Sequence, residues 1–243
     1  MIRIIFLLLL SFSCHAQIMV GEAGIIAVPA STPMPTANLV LHYDMSVPTS
    51  IHTGTTTTIA QVDELNSGAH PLLQSVTIRQ PIYNATAKTL SFNSQPNMAT
   101  GAFTLNRPVT YYIVMKQVTW TTGRGLFDGN AVNSAILFET GSTPNIAFYA
   151  GTTACNNANL VLNTMSVVIV VDNGAGSTVS VNDGTKATGN PGASNPSGFT
   201  IGDAGGGGAP SNIVVQEIAV YSAADNATLQ TANYNILKSK WGL

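Results

Sequence analysis

The segment Pro108–Gln117 constrains the fold most, because it is apolar on both faces of a strand. One face carries four apolar side chains and the other carries two: Val109, Tyr111, Ile113 and Met115, against Tyr112 and Val114. A strand with one face in water alternates apolar and polar residues, whereas a strand covered on both sides does not. The segment is therefore predicted to be a central strand that is covered on both faces.

The rest of the chain carries other short β-prone segments, separated by Gly, Pro and Asn turns. Further strands are predicted at Leu39–Asp44, Thr89–Asn93, Ala135–Thr140, Asn145–Gly151, Asn159–Asn163, Ser166–Asp172, Thr178–Val181, Phe199–Gly202 and Ile213–Tyr221. Asn182-Asp183-Gly184 predicts a tight turn, because Asn and Gly readily adopt the positive φ that such turns require. Many short strands with such turns predict a β-sandwich or jelly roll.

One helix is predicted at the end of the chain, capped by Ser222 or Asp225. Its expected buried face consists of Leu229, Ala232, Tyr234, Ile236 and Leu237. Lys238 and Lys240 lie in its last turn, where positive charge meets the negative end of the helix dipole.

Composition excludes some classes of partner. Charged residues make up 8% of the chain and apolar residues 45%, whereas an ordinary soluble domain has about 25% charged residues. The net charge is -2 and there is no basic run. The charge that neutralises phosphates is therefore missing, and a nucleic-acid partner is not expected.

The first sixteen residues differ from the rest and are predicted to be a signal peptide cleaved after Ala16. Arg3 precedes the apolar run Ile4–Leu10, and small residues stand at Cys14 and Ala16. The run is far shorter than the ~20 residues of a membrane span. Two alternatives remain: an N-terminal element kept in a virion assembly, or a lipidated Cys14. Lipidation of Cys14 ranks lower, because the bacterial lipobox motif prefers Leu at the position of Ser11. Residues 17–37 are predicted to be a Pro/Gly-rich linker or extended segment, and residues 38–243 the folded domain.

Four segments, in order, resemble the concanavalin A-like, laminin G-like domains of bacterial secreted proteins and phage appendages. They are Leu39–Asp44, Arg79–Tyr83 with Leu90–Asn93, Val179–Gly184, and Gln216–Tyr221 leading to the terminal helix and Trp241. Ser94 departs from the pattern, because the family usually has Gly after the position of Asn93. The resemblance covers about residues 38–243. It implies a jelly roll of two antiparallel sheets with one C-terminal helix.

No catalytic constellation is recognisable in the sequence. The serines lack a nucleophile motif, and His42, His52 and His70 are scattered, which does not support zinc. Glycosidases of this fold need two nearby acids. Asp63 and Glu64 are adjacent and would point to opposite faces, while Glu217 is isolated in an apolar strand. Acids from distant strands leave a glycosidase as the third hypothesis.

The sequence gives little evidence for a bound metal or for a disulfide. Oxygen ligands for Ca²⁺ are available at Asp128-Gly129-Asn130 and Asp172-Asn173, but turn formation explains the same residues, so no metal is predicted. Cys155 would stand alone after loss of Cys14, without an intramolecular disulfide. Its neighbours, Thr152–Asn157, are interpreted as a turn.

The leading hypothesis is an exported, non-catalytic module that binds a glycan or cell-surface polymer. Sugar sites combine an aromatic ring with amide or carboxylate groups, which makes Trp120, Asp128, Asn130 and Tyr149 the candidate ligand-binding residues. For Trp120, packing beneath a loop at the rim is the slightly favoured role. The alternative from another class is a structural, adhesin or phage appendage subunit that acts through protein contacts.

Overall fold

The computed structural model describes residues 32–141 and 144–243. The predicted signal peptide and most of the predicted linker lie outside these residues. A compact unit runs from Met34 to Leu243. Met34 is part of its core, packed with Leu39 and Tyr221.

The described residues form seventeen strands, three short 3-10 helices and one α-helix. The strands, numbered in chain order, are β1 Leu39–Asp44, β2 Ile51–Thr53, β3 Ile59–Val62, β4 Leu72–Leu73, β5 Ile82–Asn84, β6 Thr89–Asn93, β7 Met98–Ala99, β8 Val109–Gln117, β9 Gly125–Asp128, β10 Ile136–Glu139, β11 Ile146–Tyr149, β12 Thr153–Asn157, β13 Ser166–Asp172, β14 Ser177–Val181, β15 Ala187–Gly189, β16 Thr200–Ile201 and β17 Asn212–Tyr221. The helices are 3-10 turns at Pro48–Ser50, Thr77–Arg79 and Gly174–Gly176, and α1 at Ala227–Trp241.

These strands form two antiparallel sheets, as the family resemblance implies. Sheet A has the order β15-β14-β13-β8-β17-β6-β5, and β1 pairs with the second half of β17. Sheet B has the order β12-β11-β10-β9-β16-β7-β4-β3-β2. The fold is thus an all-β sandwich with one C-terminal α-helix.

The main core lies between the sheets, and a second cluster lies on the outer face of sheet A. Tyr111 of β8 faces the main core, where its ring stacks on Phe127 of sheet B with centroids 4.8 Å apart. Tyr112 and Val114 face outward and pack with Leu237 of α1. The prediction that this strand is covered on both faces is confirmed, because the helix supplies the second cover.

The terminal helix is confirmed, but its cap and part of its buried face differ from the prediction. Asn226 is the N-cap, and its side-chain oxygen accepts a hydrogen bond from the Leu229 amide at 3.1 Å. Leu229 and Ala232 are exposed. The buried residues are Gln230, Asn233 and Leu237, whose spacing of three and four follows one face of the helix. The apolar residues alone did not reveal this face, because two of its members are polar.

Two predictions about single segments are wrong. Asn159–Asn163 is not a strand, whereas Thr153–Asn157, interpreted as a turn around Cys155, forms β12 and pairs with β11. Cys155 has φ 56 and is buried, so a turn-like backbone occurs inside a strand. The Asn182-Asp183 turn is confirmed, with φ 53 and φ 51.

None of the helices in the described residues is long and apolar enough to cross a membrane.

Candidate functional site

A groove on the outer face of sheet B is the candidate site. Its floor consists of Ile136, Phe138 and Tyr149. Ile136 lies directly opposite Tyr149 across the β10–β11 pair, which puts both on the same face. Leu137, between the two floor residues of β10, points the other way into the main core. Strand alternation therefore makes an apolar and aromatic floor outside the sandwich.

Three loops form the walls of this groove, which has a volume of ≈ 520 Å³. The wall residues are Gly123 from the β8–β9 loop, Val132 and Asn133 from the β9–β10 loop, and Ala204, Gly207, Gly208 and Ala209 from the β16–β17 loop. Small-molecule sites typically measure about 300–1,000 Å³ and combine apolar lining with a few polar groups. The groove has both properties.

Asp128 ties two of these walls together from behind. Its carboxylate accepts backbone hydrogen bonds from Gly129 at 2.8 Å, Asn133 at 2.7 Å and Ala135 at 2.9 Å in the β9–β10 loop. It also accepts one from Gly205 of the β16–β17 loop at 3.0 Å. Burial raises the pKa of Asp128, and these amides oppose the rise. The residue positions the walls and is 1% exposed.

Asp203 shapes the glycine loop in a similar way. Its Oδ1 accepts hydrogen bonds from the backbone of Ala204 and of Ala209, both at 2.8 Å, so it closes the loop at both ends. A Cβ on Gly205 would lie 2.2 Å from the Gly129 carbonyl oxygen, which excludes any other residue there. The glycine run is thus a fixed wall of the groove.

The four sequence-predicted residues fall in different places around this groove. Tyr149 lies on the floor and Asp128 lies behind the walls. Asn130 anchors the β9–β10 loop: it donates to the Thr100 carbonyl at 2.8 Å and accepts from the Thr200 hydroxyl at 3.1 Å. Trp120 is half-buried in the β8–β9 loop and does not line the groove. Sequence reasoning missed Phe138, whose outward position follows from strand alternation once the register of β10 is known.

The lining of the groove combines an apolar and aromatic floor with neutral polar groups. Among its lining residues in the described ranges, none is a carboxylate, a histidine or a cysteine. Most glycoside hydrolases use two carboxyl groups across the bond that breaks. Asn133 and the backbone of Gly207 and Gly208 provide neutral hydrogen-bonding groups beside the aromatic floor.

A separate charged cluster joins α1 to sheet A. Lys240 Nζ lies 2.6 Å from both Asp44 Oδ2 and Glu217 Oε2, and the Trp241 indole donates to Glu217 Oε2 at 2.7 Å. His42 Nε2 lies 2.8 Å from Glu217 Oε1. Glu217 is therefore not isolated in space, although it is isolated in sequence.

Within the described residues, this cluster is the only place where three potential metal-ligating side chains meet. His42, Asp44 and Glu217 have ligand atoms within 4.8 Å of one another. The Lys240 ammonium already contacts both carboxylates and offsets one of their two negative charges. Burial disfavours ionised Asp44, yet hydrogen bonds from Lys240 and Ser46 outweigh it and hold its pKa below the usual value. Lys240 and Ser46 occupy the Asp44 carboxylate, while Lys240, His42 and Trp241 occupy that of Glu217, so the contacts describe an ion cluster that joins α1 to sheet A.

The two groups considered as calcium ligands are engaged by donors. Asp128 accepts the loop amides described above, and Asp172 lies 2.7 Å from Arg107 Nε. Asp172 is completely buried, and burial raises its pKa to about 6 although Arg107 opposes the rise. Asp63 is partly exposed and contacts His52, whereas Glu64 is buried and accepts from the Ser67 and Gly68 amides.

Glu139 gives the sandwich a pH-dependent element. It faces inward from the end of β10. Burial raises its pKa to about 7, although the Thr121 amide, Gln117 and Arg124 oppose the rise. The folded state holds this proton between the ordinary pKa of 4.5 and about 7, whereas the unfolded state releases it. Stability therefore falls as the pH rises through this window.

Glu139→Gln is accordingly expected to abolish this loss of stability. Relative to the variant, the parent protein should lose up to about 3 kcal/mol of unfolding free energy between pH 5 and pH 8, at 1.36 kcal/mol per pKa unit. Urea unfolding at the two pH values measures the difference. Asp183→Asn, whose carboxylate accepts from the Thr231 hydroxyl in a surface turn, is the control and should leave the slope unchanged; equal slopes for Glu139→Gln and the parent protein would refute the expectation.

No protein-family model matches the chain, and no curated protein matches it in sequence. Solved structures do match. A Trypanosoma rangeli sialidase in complex with sialic acid superimposes with a TM-score of 0.59 and 15% identity, covering 89% of this chain and 35% of the sialidase chain. The chain thus spans about a third of that enzyme.

Two other similar structures are an arabinanase domain and an arabinofuranosidase. Domain 4 of a GH43 extracellular arabinanase from Geobacillus stearothermophilus, in complex with arabinotriose, has a TM-score of 0.52 and 15% identity; the match covers 82% of this chain and 98% of that domain. A GH54 α-L-arabinofuranosidase has a TM-score of 0.59 and 11% identity, covering 74% of this chain and 50% of the enzyme. At these identities the similarity concerns the β-sandwich fold.

Proposed function

We propose that this protein is a non-catalytic module that binds a glycan in the groove on sheet B. The observation that carries the proposal is the composition of the groove: an outward-facing aromatic floor beside fixed loops that offer neutral polar groups. An aromatic ring provides a flat apolar surface for the C–H face of a sugar, while an amide and backbone groups hydrogen-bond its hydroxyls.

The arabinanase domain supports this proposal. Nearly its whole length matches this chain, and it is a single domain, separate from the rest of its enzyme, whose structure contains arabinotriose. This comparison favours a binding module over a complete enzyme. Within this proposal the chain is a concanavalin A-like or laminin G-like jelly roll that is exported after cleavage near Ala16, as its first residues predict.

Tyr149 provides the test of the proposed site. Tyr149→Ala is expected to weaken glycan binding about tenfold, which corresponds to about 1.4 kcal/mol, because the variant loses the ring on the floor. Tyr149→Phe keeps the ring and should retain most of the affinity. Titration calorimetry with arabino-oligosaccharides, after a glycan-array screen, measures both.

Ile78→Ala is the matched control, since Ile78 is an apolar side chain outside the groove that is 79% exposed. Its affinity should equal that of the parent protein. A folded protein that binds no glycan on the array, or whose binding is indifferent to Tyr149→Ala, contradicts the proposal.

A further inference from the structure

The charge around the groove restricts the class of glycan that it accepts. None of the lining residues in the described ranges is charged. The β10–β11 turn includes two residues outside those ranges, and they are Ser142 and Thr143, which are uncharged in the sequence. A carboxylated sugar would therefore meet no cation in the lining of the groove.

The nearest charged residues behind the walls strengthen this restriction. Asp128 and Asp203 hold the wall amides from behind, so two acidic groups lie next to the groove. Arg124, beside the wall residue Gly123, acts on the carboxyl of Glu139, which points toward the inside of the sandwich. A Cβ placed on Gly207 would lie 3.7 Å from Arg79 Nη1 and 3.6 Å from Asp203 Oδ2, so an acidic group stands at the same wall residue as this cation.

An anionic ligand would consequently lose the hydration of its carboxylate and gain no opposite charge, at a cost that neutral hydroxyls do not incur. The wall groups Asn133, Gly207 and Gly208 can bind hydroxyls as neutral donors and acceptors. The apolar floor fits the C–H face of an uncharged ring.

On these grounds, and resting on the proposed function, we infer that the groove selects neutral sugar units and rejects acidic ones such as sialic or uronic acids. Two of the similar structures with ligands differ in this chemistry, since one holds sialic acid and the other arabinotriose. The uncharged lining of this groove suits a neutral sugar such as arabinotriose rather than an acidic one such as sialic acid.

The experiment compares neutral arabino-oligosaccharides with sialyllactose and oligogalacturonides in calorimetric titrations of the full chain. We expect Tyr149-dependent binding to the neutral sugars, at least tenfold tighter than to either acidic sugar. The neutral affinity should not change between low and high salt, because no ion pair is formed.

Asn133→Lys adds a positive charge to the wall and is expected to raise the affinity for the acidic sugars at least several-fold, with a salt dependence that the parent protein lacks. Asp183→Asn, in the Asn182–Gly184 turn outside the groove, changes the net charge by the same one unit and is the control. Binding of acidic sugars as tightly as neutral ones, lost in Tyr149→Ala, would overturn the selectivity while leaving glycan binding intact. Binding of neither class would overturn the proposed function itself.

Discussion

Lys240→Met is expected to lower the free energy of unfolding by about 4 kcal/mol, because it leaves two carboxylates together without their cation. Breaking a buried ion pair typically costs about 3–5 kcal/mol. Lys240 Nζ contacts Asp44 and Glu217 at 2.6 Å each, and the Glu217 side chain is completely buried. For a domain of this size, 1 kcal/mol corresponds to about 2–4 °C in Tm.

Lys238→Met provides a close control for this variant. Lys238 lies in the same last helical turn but is exposed, with its ammonium 5.7 Å from the Tyr234 ring centroid. It has the same charge near the helix C-terminus, so its loss should cost less than about 1 kcal/mol. Thermal and urea unfolding of both variants measure the difference.

The double variant Lys240→Met/Glu217→Gln tests the cause of the effect. Removing one carboxylate charge should restore part of the stability that Lys240→Met loses, because like-charge repulsion is relieved. If Lys240→Met is no more destabilising than Lys238→Met, the cluster does not hold the helix to the sheet in the way the contacts indicate.

The sequence was informative about the fold where residues carry a local signal. Both faces of β8 are apolar in the sequence, and Tyr111 and Tyr112 indeed face two different cores. The positive φ values of Asn182 and Asp183 follow from residue type. Strands such as β4 and β7, of two residues each, were missed because so short a strand has no periodicity.

The candidate site was only partly visible in the sequence, because its parts come from distant segments. Tyr149 was identifiable as an aromatic residue in a strand, but its outward direction depends on its pairing with Ile136. Asp128 was identified as a polar candidate, yet its partner Gly205 lies 77 residues away. Likewise, Glu217 is an isolated acid in sequence, and only the fold brings Lys240 and Asp44 to it.

Asp128→Ala is the second change with a large expected effect, on both stability and binding. It leaves the amides of Gly129, Asn133, Ala135 and Gly205 without their acceptor. An unsatisfied buried group costs about 1–3 kcal/mol. Exposed parts of the loops can turn toward water, so the four amides do not each cost the full amount. We expect Asp128→Ala to lower the free energy of unfolding by about 3–4 kcal/mol in total.

The loss of stability in Asp128→Ala should be concentrated in the walls of the groove. This pattern would distinguish a positioning role of Asp128 from a general loss of stability. Hydrogen exchange of the Asn133 and Gly205 amides should accelerate far more than exchange in β8. Glycan affinity should fall as well, although the Asp128 carboxylate does not line the groove, because the β9–β10 and β16–β17 loops are no longer held together. Asp63→Ala removes a partly exposed aspartate paired with His52, and it should cost less than about 1 kcal/mol. Unchanged exchange at Gly205 in Asp128→Ala would show that the two loops are held by other contacts.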